Sequence, residues 1–114
     1  MQENSLLDFL LRKLDEHRVE DIEVINVGDR SSLANYLIIG TGRSGKHMES
    51  TIEKLRLALK QNEIAVGVPE GRNSGWIVLD LGNIMLHLFT EEDRRKYDLS
   101  KLWNREMRSG TVQL

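Results

Sequence analysis

One stretch of the sequence has the residues and the spacing of a phosphate-binding loop. The segment Gly40–His47 reads G-T-G-R-S-G-K-H and stands between a predicted strand and a predicted helix, as a P-loop does in nucleotide-binding enzymes. Its eighth position holds His47, whereas a P-loop needs the hydroxyl of Ser or Thr there to bind Mg²⁺. In the alternative interpretation the glycines make a tight turn, Ser44 caps the helix, and free N–H groups could still attract an anion.

A second chemical possibility lies in a predicted hairpin. Two apolar runs, Trp76–Leu81 and Ile84–Phe89, are separated by Gly82-Asn83, a pair typical of a tight two-residue turn. The register set by this turn makes Asp80 and His87 diagonal neighbours within reach of each other. Asp80 and His87 could bind each other beneath a helix, or their pairing could hold in place a contact surface that Trp76 and Phe89 help to form. A catalytic dyad is the weakest option, because no nucleophile stands beside the imidazole.

The same register divides the hairpin into two faces. One face is wholly aliphatic and is predicted to be core: Ile77, Leu79, Leu81, Ile84, Leu86 and Leu88. The other face mixes aromatic, polar and apolar side chains: Trp76, Val78, Asp80, Met85, His87 and Phe89. Aromatic residues and Met are enriched at the centres of protein interfaces, so this second face is either a contact surface or a layer buried under a helix.

A magnesium-dependent nucleotidyltransferase is the other enzyme class to weigh. Such chemistry needs two or three clustered carboxylates. Asp80 ends an apolar strand, but position 82 is glycine and offers no second acid. The three histidines lie on different predicted elements and the chain has no cysteine, so the sequence supports no metal site. We therefore expect no catalytic residue, no cofactor and no metal.

The predicted elements form one domain with an α/β (α+β) fold. Apolar stripes predict a first helix, capped by Asn4 or Ser5, and a second helix that starts near Ser44. Five strands are predicted, at Asp21–Val27, Tyr36–Ile39, Ile64–Val68, Trp76–Leu81 and Ile84–Phe89. Acids followed by bases at 91–96 predict a short helix. The order α-β-β-α-β-β-β-α indicates a mixed five-stranded sheet flanked by helices, with a core over about 5–103 and a tail at 104–114.

Composition narrows the class of partner. With 16 basic and 18 acidic residues the formal net charge is -2, whereas binding to a phosphate backbone usually needs a basic excess. A protein partner is thus expected, with little or no direct nucleic acid. The residues after Met1 have no basic or Arg-rich leader, and no apolar run is long enough to cross a bilayer. We expect a cytoplasmic protein without membrane contact.

Several separated blocks resemble the ribosomal silencing factor family, also called the Iojap-related family. The resemblance is carried by Ala34–Gly42, Ser44–His47, Glu70-Gly71, Trp76–Asn83, His87–Phe89 and Arg94–Trp103. These blocks are similar in order and spacing to the family's A-D-Y, S-x-[RK]-H, E-G, W-x-L-x-D-x-G-D, H-x-F and R-x-x-Y-D-L-E-x-L-W. Asn35, Asn83 and Ser100 stand where the family usually has acids. Either these departures weaken a contact to a basic partner, or a change in that partner matches them.

The resemblance implies a translation repressor rather than an enzyme. Such proteins bind the large ribosomal subunit through its universal ribosomal protein fourteen and block docking of the small subunit. It also implies a nucleotidyltransferase-like sheet without catalysis, and a homodimer when the protein is free. The expected partner-binding residues, or their direct supports, are Glu70, Trp76, Asp80, His87, Phe89, Tyr97, Leu99 and Trp103. Tyr97 and Trp103 have an equally strong alternative, which is to anchor a C-terminal helix to the sheet.

Overall fold

The computed structural model describes residues 3–28 and 34–97 of the chain. Its elements are α1 (Glu3–Glu16), β1 (Glu20–Asn26), β2 (Tyr36–Gly42), α2 (Gly45–Gln61), β3 (Trp76–Asp80), β4 (Ile84–Thr90) and α3 (Glu91–Lys96). The predicted α+β class is confirmed. The predicted tail at 104–114 lies outside the described residues.

The described strands form one mixed sheet in the order β1-β2-β4-β3. β2 and β4 are parallel neighbours at its centre, and β1 and β3 pair antiparallel at its edges. α2 belongs to the long crossover that a parallel pair requires. Because of this topology, the last residues of β2 and β4 and the first residue of β3 lie at the same end of the sheet.

The predicted hairpin is confirmed. Gly82 has φ +86°, in the left-handed region that favours glycine in a tight turn. Trp76 pairs with Phe89, Ile77 with Leu88, and the remaining pairs follow the predicted register. All six residues of the aliphatic face are buried in the main core, so the prediction of that face is confirmed as well.

Both long helices pack on this aliphatic face. The predicted stripe of α2 is buried through Met48, Ile52, Leu55 and Leu59, and α1 contributes buried leucines to the same core. Ser44 is the N-cap of α2, as predicted, because its Oγ accepts from the N–H three residues on. The prediction that Asn4 or Ser5 caps α1 is wrong, because both residues already lie inside that helix.

The predicted strand Ile64–Val68 is also wrong, so the described sheet has four strands and not five. Two of its side chains pack against the core at alternate positions, as they would in a strand. The backbone joins β3 only beyond this segment, at a single bridge between Glu70 and Val78. Val68 is 77% exposed, so little burial holds the segment to the edge. Pro69 follows directly and has no N–H to donate.

The second face of the sheet has a smaller core of its own. It contains Ile25, Val27, Leu37, Ile39 and Phe89, with Trp76 and Met85 packed at its border. The predicted short helix is confirmed as α3, which begins after an N-cap at Thr90 and has acids in its first turn and bases in its last. None of the helices in the described ranges is both long and apolar enough to span a membrane.

Candidate binding site around Trp76

Trp76 lies within a group of aromatic rings at one end of the second sheet face. Its ring stacks on Phe89, with centroids 4.9 Å apart, and packs against Tyr97 at 5.0 Å. His87 lies on its other side at 5.9 Å. We call these residues the aromatic cluster. β3 supplies Trp76, β4 supplies Phe89 and His87, and the residue that ends α3 is Tyr97.

The indole N–H of Trp76 donates to Nδ1 of His87 over 3.0 Å. Nδ1 can accept only with its lone pair free, so the imidazole is neutral and carries its proton on Nε2. His87 is 8% exposed, and this burial lowers its pKa from 6.5 to about 4. Burial and the hydrogen bond from Trp76 both favour the neutral imidazole, because protonation would bury a charge and place two N–H donors face to face.

Asp80 lies at the opposite end of β3 from Trp76. Its Oδ1 accepts from the N–H of Gly82 over 2.9 Å, within the hairpin turn. Asp80 is four positions from Trp76 along the strand, a distance of about 13 Å. The predicted pairing of Asp80 with His87 is therefore wrong, because the turn binds the acid and the indole binds the imidazole. The arrangement offers no support for a catalytic dyad.

Exposure separates residues that can touch a partner from residues that can only support them. Phe89 is 0% exposed and His87 8%, whereas Tyr97 is 39% exposed and Trp76 is half-buried. Phe89 and His87 therefore hold the indole ring from beneath. Among the described residues of the aromatic cluster, the indole and phenol rings are the ones that reach the surface.

Two carboxylates lie along the β3 edge of the same face. Glu70 is directly bridged to Val78, so their side chains lie on one side of the sheet. Asp80 is the next β3 residue on that side, and both acids are exposed. We call Glu70, Trp76, Val78, Asp80 and Tyr97 the Trp76 surface. It has an aromatic and apolar centre with acids at its rim.

The loop before β3 fixes the backbone of Trp76. The Ser74 hydroxyl accepts from the Trp76 N–H (3.2 Å), and its one proton is shared between the carbonyl oxygens of Gly71 (2.5 Å) and Trp76 (2.9 Å). Gly71 has φ +86°, and a Cβ there would lie 2.1 Å from the same carbonyl oxygen. Arg72 ties the loop to two glutamates of α2 by ion pairs. The glycine that follows Glu70 is thus a backbone requirement for placing the indole.

Leu99, Ser100 and Trp103 lie outside the described residues, and their roles stay predictions.

The two asparagines that replace acids of the family are described. Asn35 and Asn83 lie next to each other, since the Asn35 N–H donates to the Asn83 carbonyl oxygen over 2.7 Å. They lie at the Asp80 end of the sheet, away from the aromatic cluster.

Two amides of the Gly40–His47 turn already have partners within the protein. The Arg43 N–H donates to Nδ1 of His47 (2.9 Å), and the His47 N–H donates to Ser44 Oγ (3.1 Å). In a P-loop such amides face the phosphates. The geometry therefore favours the structural interpretation of this motif.

His47 also joins this turn to the end of α1. Its Nε2 donates to the His17 carbonyl oxygen over 2.6 Å, because Nδ1 already accepts. At Gly42 a Cβ would lie 2.3 Å from Cγ of Met48, so this glycine permits close packing. The residue that breaks the P-loop pattern is thus a structural bridge. Within residues 3–28 and 34–97, no three His, Asp or Glu side chains are grouped to hold a metal ion.

Sequence reasoning missed two contacts of the site. The first is the Trp76–His87 hydrogen bond, although Trp76 is as much a diagonal neighbour of His87 as Asp80 is. The second is Arg94, whose guanidinium reaches acceptors on β1 and β2. The charge pattern marked Arg94 as a base near the end of a short helix, and the family resemblance placed it at the start of a block, but neither signals contacts to such distant strands.

The fold is that of a small α+β domain with a mixed sheet. Over residues 1–113 the chain matches the model of a family described as "Ribosomal silencing factor during starvation". It therefore belongs to the ribosomal silencing factor family, and the predicted family is confirmed.

Two relatives and one solved structure illustrate this similarity. Ribosomal silencing factor RsfS of Bacillus subtilis (strain 168) is 31% identical over 104 residues, which cover 90% of this chain and 88% of the relative. Mitochondrial assembly of ribosomal large subunit protein 1 of Mus musculus is 31% identical over 112 residues, covering 95% of this chain and 48% of that protein. A crystal structure from Chromobacterium violaceum has a TM-score of 0.86 at 23% identity, covers 91% of this chain and 88% of its own, and supports the fold.

Proposed function

We propose that this chain binds the large ribosomal subunit through its universal ribosomal protein fourteen, blocks docking of the small subunit and so represses translation. Membership of the silencing factor family supports the ribosome as partner. The name of the mouse relative, which refers to the large ribosomal subunit, supports the choice of subunit. The observation that carries the proposal is the Trp76 surface.

The Trp76 surface has the composition of an interface centre. Trp and Tyr are enriched among the residues that contribute most to binding. Trp76 is held in one orientation by its stack on Phe89 and its hydrogen bond to His87. Binding therefore loses less side-chain entropy than it would with a free ring. The rim acids Glu70 and Asp80 favour a basic partner, because complementary charge selects partners and speeds association.

The proposed roles divide the predicted site residues into two groups. Glu70, Trp76, Asp80 and Tyr97 contact the partner, and Leu99 and Trp103 extend that contact. Phe89 and His87 support the indole from within the sheet. The second group is buried, so substitutions there act through the position of Trp76.

Steric exclusion is sufficient as a mechanism. Where two surfaces dock, the gap between their packed side chains is less than about 1 Å. The sheet with its layer of helices is much thicker than such a gap. A domain of this thickness on the intersubunit surface keeps the small subunit from docking. No bond is made or broken, so the proposal assigns no catalytic residue, cofactor or metal.

The proposal includes a cellular location and an assembly state. The chain acts in the cytoplasm, touches little or no nucleic acid or membrane, and forms a homodimer when free that gives way to the monomer on the ribosome. The formal net charge of -2 supports a protein contact over a phosphate contact.

Co-sedimentation with purified large subunits and a subunit-joining assay test the proposal. Trp76→Ala is expected to weaken binding about 30-fold, the effect of losing about 2 kcal/mol at an interface centre. Leu57→Ala is the matched control, because Leu57 is 58% exposed on α2, which packs on the other side of the sheet. Thermal melting checks that both variants fold. If the native chain does not sediment with large subunits, or if both variants weaken binding equally, the proposal is refuted.

The alternative is a nucleotide-binding enzyme that uses Gly40–Lys46, or one of nucleotidyltransferase type. The two turn amides that already have partners weigh against the first, and the relation of this sheet to nucleotidyltransferases stays a prediction. Lys46→Ala distinguishes the functions, because it is expected to leave large-subunit binding unchanged. Loss of function in a folded Lys46→Ala variant, together with binding of a nucleoside triphosphate by the native chain, would favour the enzyme.

A further inference from the structure

α3 reaches the sheet through two side chains that are three positions apart. Arg94 and Tyr97 lie on one side of the helix, as residues at this spacing do. Tyr97 packs on Trp76 of β3, whereas Arg94 extends to β1 and β2. α3 has six residues, about 9 Å of helix, and a helix this short has no stability of its own. Its direction over the sheet is therefore set by its contacts.

The guanidinium of Arg94 binds acceptors on two strands. Nη1 donates to Oγ1 of Thr41 (2.8 Å) and to the carbonyl oxygen of Asp21, and Nη2 pairs with Oε1 of Glu23 (2.9 Å). The Arg94 side chain is 17% exposed and Glu23 is 46% exposed, so the contact to Thr41 is better shielded from water than the ion pair to Glu23. Asp21 has φ +49° and lies where the β1 ladder is irregular, before Glu23. This irregularity leaves its carbonyl oxygen available to Arg94.

We infer that Arg94 is a positioning residue for the Trp76 surface, because it fixes α3 to β1 and β2 and thereby holds Tyr97 against Trp76. Within residues 34–97, the other anchors of α3 do not suffice. The Thr90 cap fixes only the first turn of the helix. An aromatic pair contributes about 1 kcal/mol, which is too little to order the helix end alone. The consequence for ribosome binding rests on the proposed function, whereas the positional role does not.

The chemistry of the guanidinium explains why arginine stands at this position. Its donors point in fixed directions from a planar fork, so one side chain can bind a hydroxyl, a carbonyl and a carboxylate at once. A lysine ammonium keeps the charge but is a point donor on a flexible stem. We therefore expect Arg94→Lys to lose most of the positioning while it keeps the net charge.

The indole N–H resonance of Trp76 in ¹H–¹⁵N spectra of the full chain tests the position directly, with Trp103→Phe used for its assignment. The Tyr97 ring, 5.0 Å from the indole, shifts this resonance. Arg94→Met is expected to move it towards its position in Tyr97→Ala, and Thr41→Val to move it less in the same direction. Arg95→Met, at the exposed neighbour, is the control and should leave it in place. If Arg94→Met and Thr41→Val both leave the resonance where it is, the inference is wrong.

A double-mutant cycle on large-subunit binding tests the consequence. Arg94→Met is expected to weaken binding about tenfold, which corresponds to about 1.4 kcal/mol. In a Tyr97→Ala background it should change binding less than twofold, because the residue that it positions is gone. Equal weakening in both backgrounds would overturn the inference. If the native chain does not bind large subunits, the proposed function has failed, and the indole resonance alone decides the role of Arg94.

Discussion

Acid is expected to destabilise this fold through His87. Burial lowers the pKa of its imidazole from 6.5, its ordinary value in an unfolded chain, to about 4. Between these values the unfolded chain binds a proton that the folded chain does not. The stabilisation is therefore complete above pH 6.5 and is lost as the pH falls towards 4. The full loss is about 3 kcal/mol, of which about 2 kcal/mol falls between pH 7 and pH 5.

Urea unfolding at pH 7 and pH 5 measures this loss. His87→Gln is the informative variant, because its amide does not titrate and its carbonyl oxygen can still accept from the Trp76 indole. The native chain should lose about 2 kcal/mol more than this variant over the same pH interval. His17→Gln is the control for removal of a histidine. The pKa of His17 is also lowered, first by burial and then by Lys54, and we expect a smaller difference there.

A single outcome would refute this reasoning. If the native chain and His87→Gln lose equal free energy of unfolding between pH 7 and pH 5, His87 is not held neutral in the folded state. The hydrogen bond from Trp76 to Nδ1 would then not fix the tautomer, and the support of the indole would need another explanation.

Three further perturbations follow from the geometry. Gly71→Ala should lower the free energy of unfolding by at least about 2 kcal/mol, because φ is +86° and the new Cβ would clash with the Trp76 carbonyl oxygen. Gly45→Ala is the control in the same thermal melts and should lose no stability, because there is open space around Gly45. Trp76→Phe keeps an aromatic stack but leaves Nδ1 of His87 without its donor, and urea unfolding should show a loss of about 1–3 kcal/mol. His47→Ala removes the acceptor of a turn amide, which hydrogen exchange should register as faster exchange of that amide while global stability persists.

Local sequence patterns predicted the β3–β4 hairpin correctly, but they wrongly predicted a strand at Ile64–Val68. A two-residue turn with glycine fixes both the reversal and the register, so the faces of Trp76–Leu81 followed directly from the sequence. At Ile64–Val68 the apolar residues predicted a strand, and Ile64 and Val66 do pack against the core at alternate positions. The apolar pattern could not show whether the backbone pairs, because pairing depends on where the β3 edge lies in space.

The site was harder to predict because its contacts compete. The register made Asp80 and Trp76 equal candidates for His87, and the choice was decided by the turn, whose Gly82 N–H binds the acid. Arg94 contacts Thr41 and Glu23, which lie 53 and 71 positions before it in the chain. Such contacts appear only once the strands are placed, and no spacing within the chain encodes them.

The outer edge of β3 has a consequence for how this protein meets other chains. Both backbone polar groups of Trp76 are bound by Ser74, and both of Val78 are bound by Glu70 over 2.9 Å. An open strand edge is a template on which identical chains can polymerise. Here the backbone groups next to Trp76 already have hydrogen-bond partners within the chain. Another molecule can therefore recognise this end of the sheet through side chains only. The chain can thus display an indole ring on an edge strand whose backbone is closed to strand pairing at Trp76 and Val78.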